Sequence, residues 1–180
     1  MAIYALGDQV PRIDPTAYIH PDAVIIGDVR IGPQASVWPD AVLRGDDGYI
    51  EVGARSSIQD GAVLHTTAEV PTVVGDECVV GHCVHLEGCR LHDRVLAGSN
   101  CTILVEAEIH SVALVGANAL VPGGMVVPSG AMALGVPARL RPDTVDLEMV
   151  MFGVRNYVQR AERFRRELRR LDPPGSDGPS

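Results

Sequence analysis

The chain has few aromatic residues, no long apolar run and no closely spaced pair of cysteines. Phe, Trp and Tyr together make up 4% of its 180 residues, although 46% of the residues are hydrophobic. The core must therefore consist mainly of Val, Ile, Leu and Ala side chains. No apolar run approaches the roughly 18 residues of a membrane-spanning helix. The four cysteines show no CxxC spacing, and we expect reduced thiols.

The net charge of the chain limits the kinds of molecule that it is expected to bind. The formal net charge is -8 and the pI is about 5.1. This acidity argues against nucleic acid or an anionic membrane as the main partner. The first residues do not combine a basic start with an apolar core, so no signal peptide is predicted. We therefore expect a cytoplasmic protein with one main domain.

An aliphatic residue recurs every six positions over most of the chain. The series is Ile13, Ile19, Ile25, Ile31, Val37, Leu43, Val52, Ile58, Leu64, Val74, Val80, Leu86, Leu91, Ala97, Ile103, Ile109, Val115, Val121, Val127 and Ala133. A small residue usually lies four positions after each of them. This period is neither helical nor a two-residue alternation. It indicates short parallel strands joined by tight corners and stacked as a solenoid.

The period is interrupted three times. The intervals 43–52, 64–74 and 86–91 measure nine, ten and five residues instead of six. We expect the first two to extrude loops, which hold the stretches RGDDGYI and HTTAEVP. Loops on a regular scaffold often carry functional residues, so a site is predicted beside them.

The chain divides into three predicted segments. Residues 1–140 form the coil, and residues 141–172 form an amphipathic helix that packs on it, because apolar residues there fall at three- and four-residue steps. Asp143 or Thr144 is expected to cap the start of this helix. Residues 173–180 have the composition of a disordered tail.

Counting repeats predicts which polar residues stack. Arg44, His65 and Glu87 each follow the aliphatic residue of a repeat that recurs on the same face, so they should form a column with a spacing of about 4.8 Å. His82 belongs to a neighbouring face and should lie above Asp60. A single ion could therefore contact His65, Glu87 and His82 only if His82 came from a second subunit, as in a trimer.

The remaining histidines and cysteines suggest structural roles. His85 falls at a predicted corner, where we expect no stacking partner. His92 and His110 lie one coil apart on a single face and are interpreted as a surface pair. Cys78 and Cys101 occupy the small-residue position and should be buried in the core.

The pattern over residues 10–138 resembles the hexapeptide repeat of left-handed parallel β-helices. The resemblance implies an all-β solenoid, a left-handed parallel β-helix of hexapeptide repeats with a C-terminal amphipathic α-helix. Residues 44–65, 80–89 and 135–139 further resemble the gamma-class carbonic anhydrase family. That likeness implies a homotrimer with zinc, alternatively iron or cobalt, held between subunits.

The resemblance assigns His65, His82 and Glu87 as the metal ligands. Glu87 stands where the family has a third histidine. Two histidines and a glutamate bind zinc in hydrolase sites, and two histidines with a carboxylate also suit Fe(II). The carboxylate should make a metal-bound water less acidic. We therefore expect metal-hydroxide chemistry with weak hydration of CO2.

The resemblance also assigns five supporting residues. Arg44 and Asp46 match a pair that braces adjacent subunits. Gln59 matches the residue that orients the metal-bound water. Asp47 takes the place of a catalytic glutamate, and Tyr157 that of a tyrosine lining the site.

Two other functions fit the same fold. Many hexapeptide-repeat proteins are acyltransferases that use acyl-CoA, and here His65 or His82 would be the base that deprotonates the acceptor. A non-catalytic trimeric binding scaffold is the third possibility. The small-molecule substrate would be CO2 or bicarbonate in the first case and acyl-CoA in the second.

Overall fold

A computed structural model describes residues 2–171 of the chain. Over this range the chain forms 20 strands and one helix, α1 (Leu147–Glu167). The strands are β1 (Ala2–Tyr4), β2 (Arg12–Ile13), β3 (Tyr18–Ile19), β4 (Val24–Ile31), β5 (Ser36–Val37), β6 (Val42–Val52), β7 (Ser57–Ile58), β8 (Val63–His65), β9 (Thr72–Val74), β10 (Val79–Val80), β11 (His85–Glu87), β12 (Arg90–Leu91), β13 (Leu96–Ala97), β14 (Thr102–Ile103), β15 (Glu108–Ile109), β16 (Leu114–Val115), β17 (Leu120–Val121), β18 (Val126–Val127), β19 (Met132–Leu134) and β20 (Arg139–Arg141).

The strands wind into a left-handed parallel β-helix with three faces, as the sequence predicted. The first face contains β1, the start of β4 and β6, and then β8, β11, β14 and β17. The second face contains β2, the end of β4 and β6, and then β9, β12, β15 and β18. The third face contains β3, β5, β7, β10, β13, β16 and β19, with β20 antiparallel at its end.

The aliphatic residues of the six-residue series line the interior of the coil. From Ile19 to Ala133 every member is buried, and Ile13 is partly buried at the end of the stack. The core cluster consists of Ile, Leu, Val and Ala with buried cysteines. The predicted composition of the core is confirmed, and burial of these side chains is the main favourable term in the stability of the coil.

The prediction that the interval 43–52 extrudes a loop is wrong. Residues 42–52 form one continuous strand, β6, that passes from the first face to the second. Gly45 pairs with Gly27 and Ile50 pairs with Val29, so four residues of β6 lie opposite the single residue Asp28 of β4. The inserted residues form an enlarged β-bulge, which shifts the register without ending the strand. The second interval does leave the sheet, since no strand covers residues 66–71 within the described chain.

Helix α1 packs on the third face, against β3, β5, β7 and β10. Its buried side chains are Val150, Val154 and Ala161. An aromatic cluster fills the gap between helix and coil, with ring centroids of neighbouring pairs 5.1–6.3 Å apart; its members are Tyr18, Trp38, Tyr157 and Phe164. Four of the seven aromatic residues therefore join the helix to the coil.

The prediction that Asp143 or Thr144 caps the helix is also wrong. Asp146 is the N-cap, because its side chain accepts a hydrogen bond from the Glu148 amide at 3.0 Å. Asp143 has a φ of 51°, and the Thr144 hydroxyl donates to the Arg141 carbonyl instead. The predicted tail, residues 173–180, lies outside the described residues. Among residues 2–171, no helix has the length and apolar character needed to cross a membrane.

Candidate functional site

A column of polar side chains projects from the first face. The strand register places Arg44 of β6 opposite His65 of β8, and His65 opposite Glu87 of β11. Each follows a buried leucine, so the alternation of a strand directs it outward. The predicted column is confirmed.

His65 lies between two carboxylates. Its Nε2 is 3.2 Å from Asp46 Oδ1, and its Nδ1 is 3.3 Å from Glu87 Oε1. Asp46 belongs to the same chain as His65, and the bulge of β6 places it beside the column. Arg44 forms an ion pair with Asp46. Arginine, aspartate, histidine and glutamate therefore follow one another across three adjacent strands.

The Asp46 carboxyl is held in its ionised form. Partial burial acts to raise its pKa, but the hydrogen bond from Arg44 and the nearby charges of Arg44 and His65 outweigh burial. The net result is a pKa below the ordinary range of an aspartate. An ionised Asp46 can only accept hydrogen bonds, so it favours a proton on the Nε2 of His65.

His85 lies in strand β11 beside the column, not at a corner as predicted. Its neighbours in the stack are Val63 and Thr102, so no titratable side chain stacks on it, as expected. It lies two residues before Glu87 in β11, and its Nε2 is 3.6 Å from Glu87 Oε2. Residues two apart in a strand face the same side. The HLE sequence carried this signal, because the leucine between them is the buried member of the repeat.

Two threonines that were not predicted fix the backbone around His65. The Thr72 hydroxyl donates to the His65 carbonyl and accepts from the Gly88 amide at 2.8 Å. The Thr66 hydroxyl donates to the Val70 carbonyl at 3.0 Å. Both threonines are fully buried. They close the second interrupted repeat onto the column and so support the position of His65.

A second group of predicted residues lies at the corner between the third and first faces. His82 Nδ1 is 2.9 Å from Asp60 Oδ2, one coil away, as the repeat count predicted. Gln59, just before Asp60, is only 4% exposed. Burial raises the pKa of Tyr157; Arg160 lowers it and Asp60 raises it further. The negative charge of Asp60 therefore acts on both His82 and Tyr157.

The structure does not bring His65, Glu87 and His82 together within one chain. Among residues 2–171, the group of three His, Cys, Asp or Glu side chains close enough to share an ion lies elsewhere, on the second face. This agrees with the expectation that His82 could join the other two only from a second subunit. Asp47 is exposed on the bulge, where its amide donates to Asp46 Oδ1 at 3.2 Å.

The cysteines take no part in either group of polar residues. Cys78, Cys89 and Cys101 are buried, and all four cysteines are free thiols. Burial raises the pKa of each of these three to about 12. Such thiols remain protonated at neutral pH and are poor nucleophiles. The predicted core role of Cys78 and Cys101 is confirmed.

No model of a known protein family matches the chain. Individual proteins do. The carnitine operon protein CaiE of Escherichia coli K12 is 36% identical over 149 residues, which are 83% of this chain and 76% of CaiE. The solved structure of a hexapeptide transferase family protein from Anaplasma phagocytophilum superposes with a TM-score of 0.87 at 32% identity, covering 91% of this chain and 98% of that one.

A Bacillus cereus protein whose acetyltransferase name is provisional is similar in structure too. It gives a TM-score of 0.91 at 31% identity and covers 93% of this chain and 98% of its own. These likenesses extend over the coil and the helix together. The chain therefore belongs to the gamma-class carbonic anhydrase-like family of hexapeptide-repeat, left-handed β-helix proteins that includes CaiE.

Proposed function

We propose that the chain forms a homotrimer and binds a divalent metal ion between subunits, zinc or alternatively iron or cobalt. His65 and Glu87 of one subunit and His82 of the partner subunit would hold the ion. The observation that carries the proposal is the 3.3 Å separation of His65 Nδ1 and Glu87 Oε1. Two ligands of a tetrahedral zinc ion are expected to lie about 3.3–3.5 Å apart.

The position of the His65 ring between two carboxylates supports a cation at this site. When Nε2 carries the ring proton and donates it to Asp46, Nδ1 presents a lone pair to the Glu87 carboxylate. A lone pair and a carboxylate oxygen at 3.3 Å repel each other unless a proton or a cation lies between them. Metal-ligating histidines commonly donate their other N–H to a carboxylate, which orients the ring. Asp46 fits that role, and Arg44 holds Asp46 in place.

When bound, the ion would supply Lewis-acid activation of a water for attack on CO2. Glu87 contributes a negative charge that a histidine would not, so we expect slow hydration at neutral pH. Asp47 is exposed beside the column and can exchange protons with solvent. Gln59 and Tyr157 would approach the ion from the subunit that supplies His82. The protein would be an enzyme of weak carbonic anhydrase-like activity.

Acyl transfer from acyl-CoA is the second candidate function. It is favoured by the names of the Anaplasma phagocytophilum and Bacillus cereus proteins, which are 32% and 31% identical to this chain. A histidine between two carboxylates is also a competent general base, since either carboxylate stabilises the imidazolium that forms. In this reading His65 removes a proton from an acceptor hydroxyl or amine.

The metal content of anaerobically purified protein separates the two candidates. We expect Glu87→Ala to lose about one ion per subunit relative to wild type, because one of three ligands is gone. Glu87→His should retain the ion and hydrate CO2 faster. Equal metal content in wild type and Glu87→Ala would refute the proposed centre. Saturable binding of CoA together with an unchanged metal content would establish the acyltransferase reading instead.

A further inference from the structure

A second patch of polar side chains lies on the second face of the coil. Strands β12 and β15 pair there, with Arg90 opposite Glu108 and Leu91 opposite Ile109. The two aliphatic residues are fully buried, so the residues on either side of them point outward. His92 and His110 follow the buried pair. Arg90, Glu108 and the two histidines therefore form a two-by-two patch on the surface.

The flanking coils leave this patch accessible. Val73 precedes Arg90 in the stack and Val126 follows Glu108, as the strand register shows. Gly75 and Pro128 occupy the corresponding places beside His92 and His110. None of these four neighbours is charged or has a long side chain. The outer edges of both imidazole rings are thus open. The side chain of His92 is 38% exposed and that of His110 is 43% exposed.

Both histidines direct Nε2 at the same carboxylate oxygen. Glu108 Oε1 is 2.7 Å from His92 Nε2 and 3.8 Å from His110 Nε2. The ring centroids are 4.9 Å apart with an interplanar angle of 35°. The three ligand atoms all lie within 4.8 Å of one another. This convergence distinguishes the patch from two histidines that merely occupy neighbouring coils.

We propose that His92, Glu108 and His110 form a metal site for a divalent first-row transition ion, complete within one chain. Two imidazoles and one carboxylate are a ligand set used for zinc and for Fe(II), with the remaining positions left to water. Ligand atoms of one tetrahedral ion lie about 3.3 Å apart. The distances of 2.7 and 3.8 Å bracket this value. The two histidine ligand atoms are at most 4.8 Å apart, so the exposed side chains would rotate toward one another to surround an ion.

The charges around the site set its expected strength. The Glu108 side chain is 40% exposed, and an ordinary glutamate has a pKa of about 4.3. Glu108 is therefore ionised at neutral pH and available as a ligand. Arg90 lies opposite Glu108 and repels a cation. Its removal should strengthen metal binding, whereas removal of a ligand should weaken it.

Calorimetric titration of the chelator-treated full chain with Zn2+ tests the proposal. We expect His92→Ala/His110→Ala to bind one ion per subunit fewer than wild type. The matched variant His65→Ala/His82→Ala should keep this ion, so the result does not depend on the proposed interface centre. Glu108→Gln should weaken Zn2+ binding at the His92–Glu108–His110 site by at least about 10-fold. Even the loss of a residue that only hydrogen-bonds to a metal ligand costs about 10–100-fold in affinity. Arg90→Gln should tighten it by roughly 3–10-fold.

Several outcomes would overturn the site. An unchanged ion count in His92→Ala/His110→Ala would show that the patch binds nothing. Unchanged Zn2+ affinity in Glu108→Gln would show that Glu108 is not a ligand and that the patch is only a pair of surface histidines. Weaker binding in Arg90→Gln would contradict the assigned role of charge. The gain expected from Arg90→Gln also protects the test from folding defects, because a misfolded variant would not bind more tightly.

Discussion

Asp46 is the side chain that couples the first-face column to the bulge of β6. Its carboxylate accepts from Arg44 and lies 3.2 Å from His65 Nε2. Its pKa is lowered in the folded chain. A carboxyl with a lowered pKa stabilises the fold above its unfolded pKa of about 3.9, and this stabilisation disappears as the pH falls through the folded value.

We therefore expect Asp46→Asn to melt about 2–4 °C below wild type at pH 7, an effect of roughly 1 kcal/mol for a chain of this size. The difference between the two proteins should narrow as the pH falls below about 3.9 and through the lowered pKa of Asp46, because the wild-type carboxyl then becomes protonated in the folded chain as well. Thermal melts at several pH values measure it. Asp47→Asn is the matched control, because Asp47 is exposed on the same bulge. A gap that does not narrow as the pH is lowered below about 3.9 would contradict the assignment, as would an equal effect of the control.

Single residues were predicted well where they stack and poorly where they pair along a strand. The repeat count placed His65 beside Glu87 and His82 beside Asp60, because successive coils repeat at one spacing. It missed His85 next to Glu87 and Glu108 next to His110. Both misses involve residues two apart along the chain that flank one buried residue of a repeat. The sequence does place these residues on either side of an aliphatic residue of the repeat, Leu86 or Ile109. The pairing follows only once that aliphatic residue is known to point inward.

At the scale of elements, the bulge where β4 meets β6 is the feature that the sequence described least well. An interval of nine residues shows that three are extra, yet it does not show whether they leave the sheet. The close approach of the two strands decides this. A Cβ added to Gly27 would lie 2.2 Å from the Gly45 carbonyl oxygen, and Gly27 has a φ of +78°. Backbone contact this close needs glycine.

Gly27→Ala should consequently destabilise the chain by about 3 kcal/mol or more, from a left-handed backbone and a clash with a carbonyl that cannot move freely. Gly7→Ala is the matched control, because Gly7 also has a positive φ, +58°, but nothing lies within 4 Å of the added Cβ. We expect it to cost about 1 kcal/mol. Chemical unfolding of both variants measures the difference. Equal losses would show that the bulge tolerates a side chain.

At the scale of the whole molecule, the coil itself generates ligand pairs. Outward positions on consecutive coils lie one strand spacing apart, about 4.8 Å, so any two polar residues in the same register can meet. The pair of His65 and Glu87 on the first face and the pair of His92 and His110 on the second arise in this way. A third ligand must come from within a strand or from another subunit. Glu108 supplies it in the first manner, and we propose that His82 does so in the second.

Mixed trimers provide the test of a shared site. His65→Ala and His82→Ala chains each lack one of the proposed ligands, so neither alone should hold metal above the level of a His65→Ala/His82→Ala chain. In trimers assembled at random from equal amounts of the two single variants, an interface is intact when an unaltered His65 meets an unaltered His82 of the partner subunit. About a quarter of the interfaces satisfy this in a closed ring of identical contacts.

Elemental analysis after co-refolding or co-expression should accordingly recover about a quarter of the wild-type excess of metal over that baseline. Recovery of activity toward CO2 in the same proportion would place the reaction at these interfaces. A mixture that stays at the baseline would mean that the ligands do not cross between subunits. Because the structure does not bring His65 and His82 together within one chain, such a result would leave no shared ion for them to bind. His65 with its two carboxylates would then be better explained as a base.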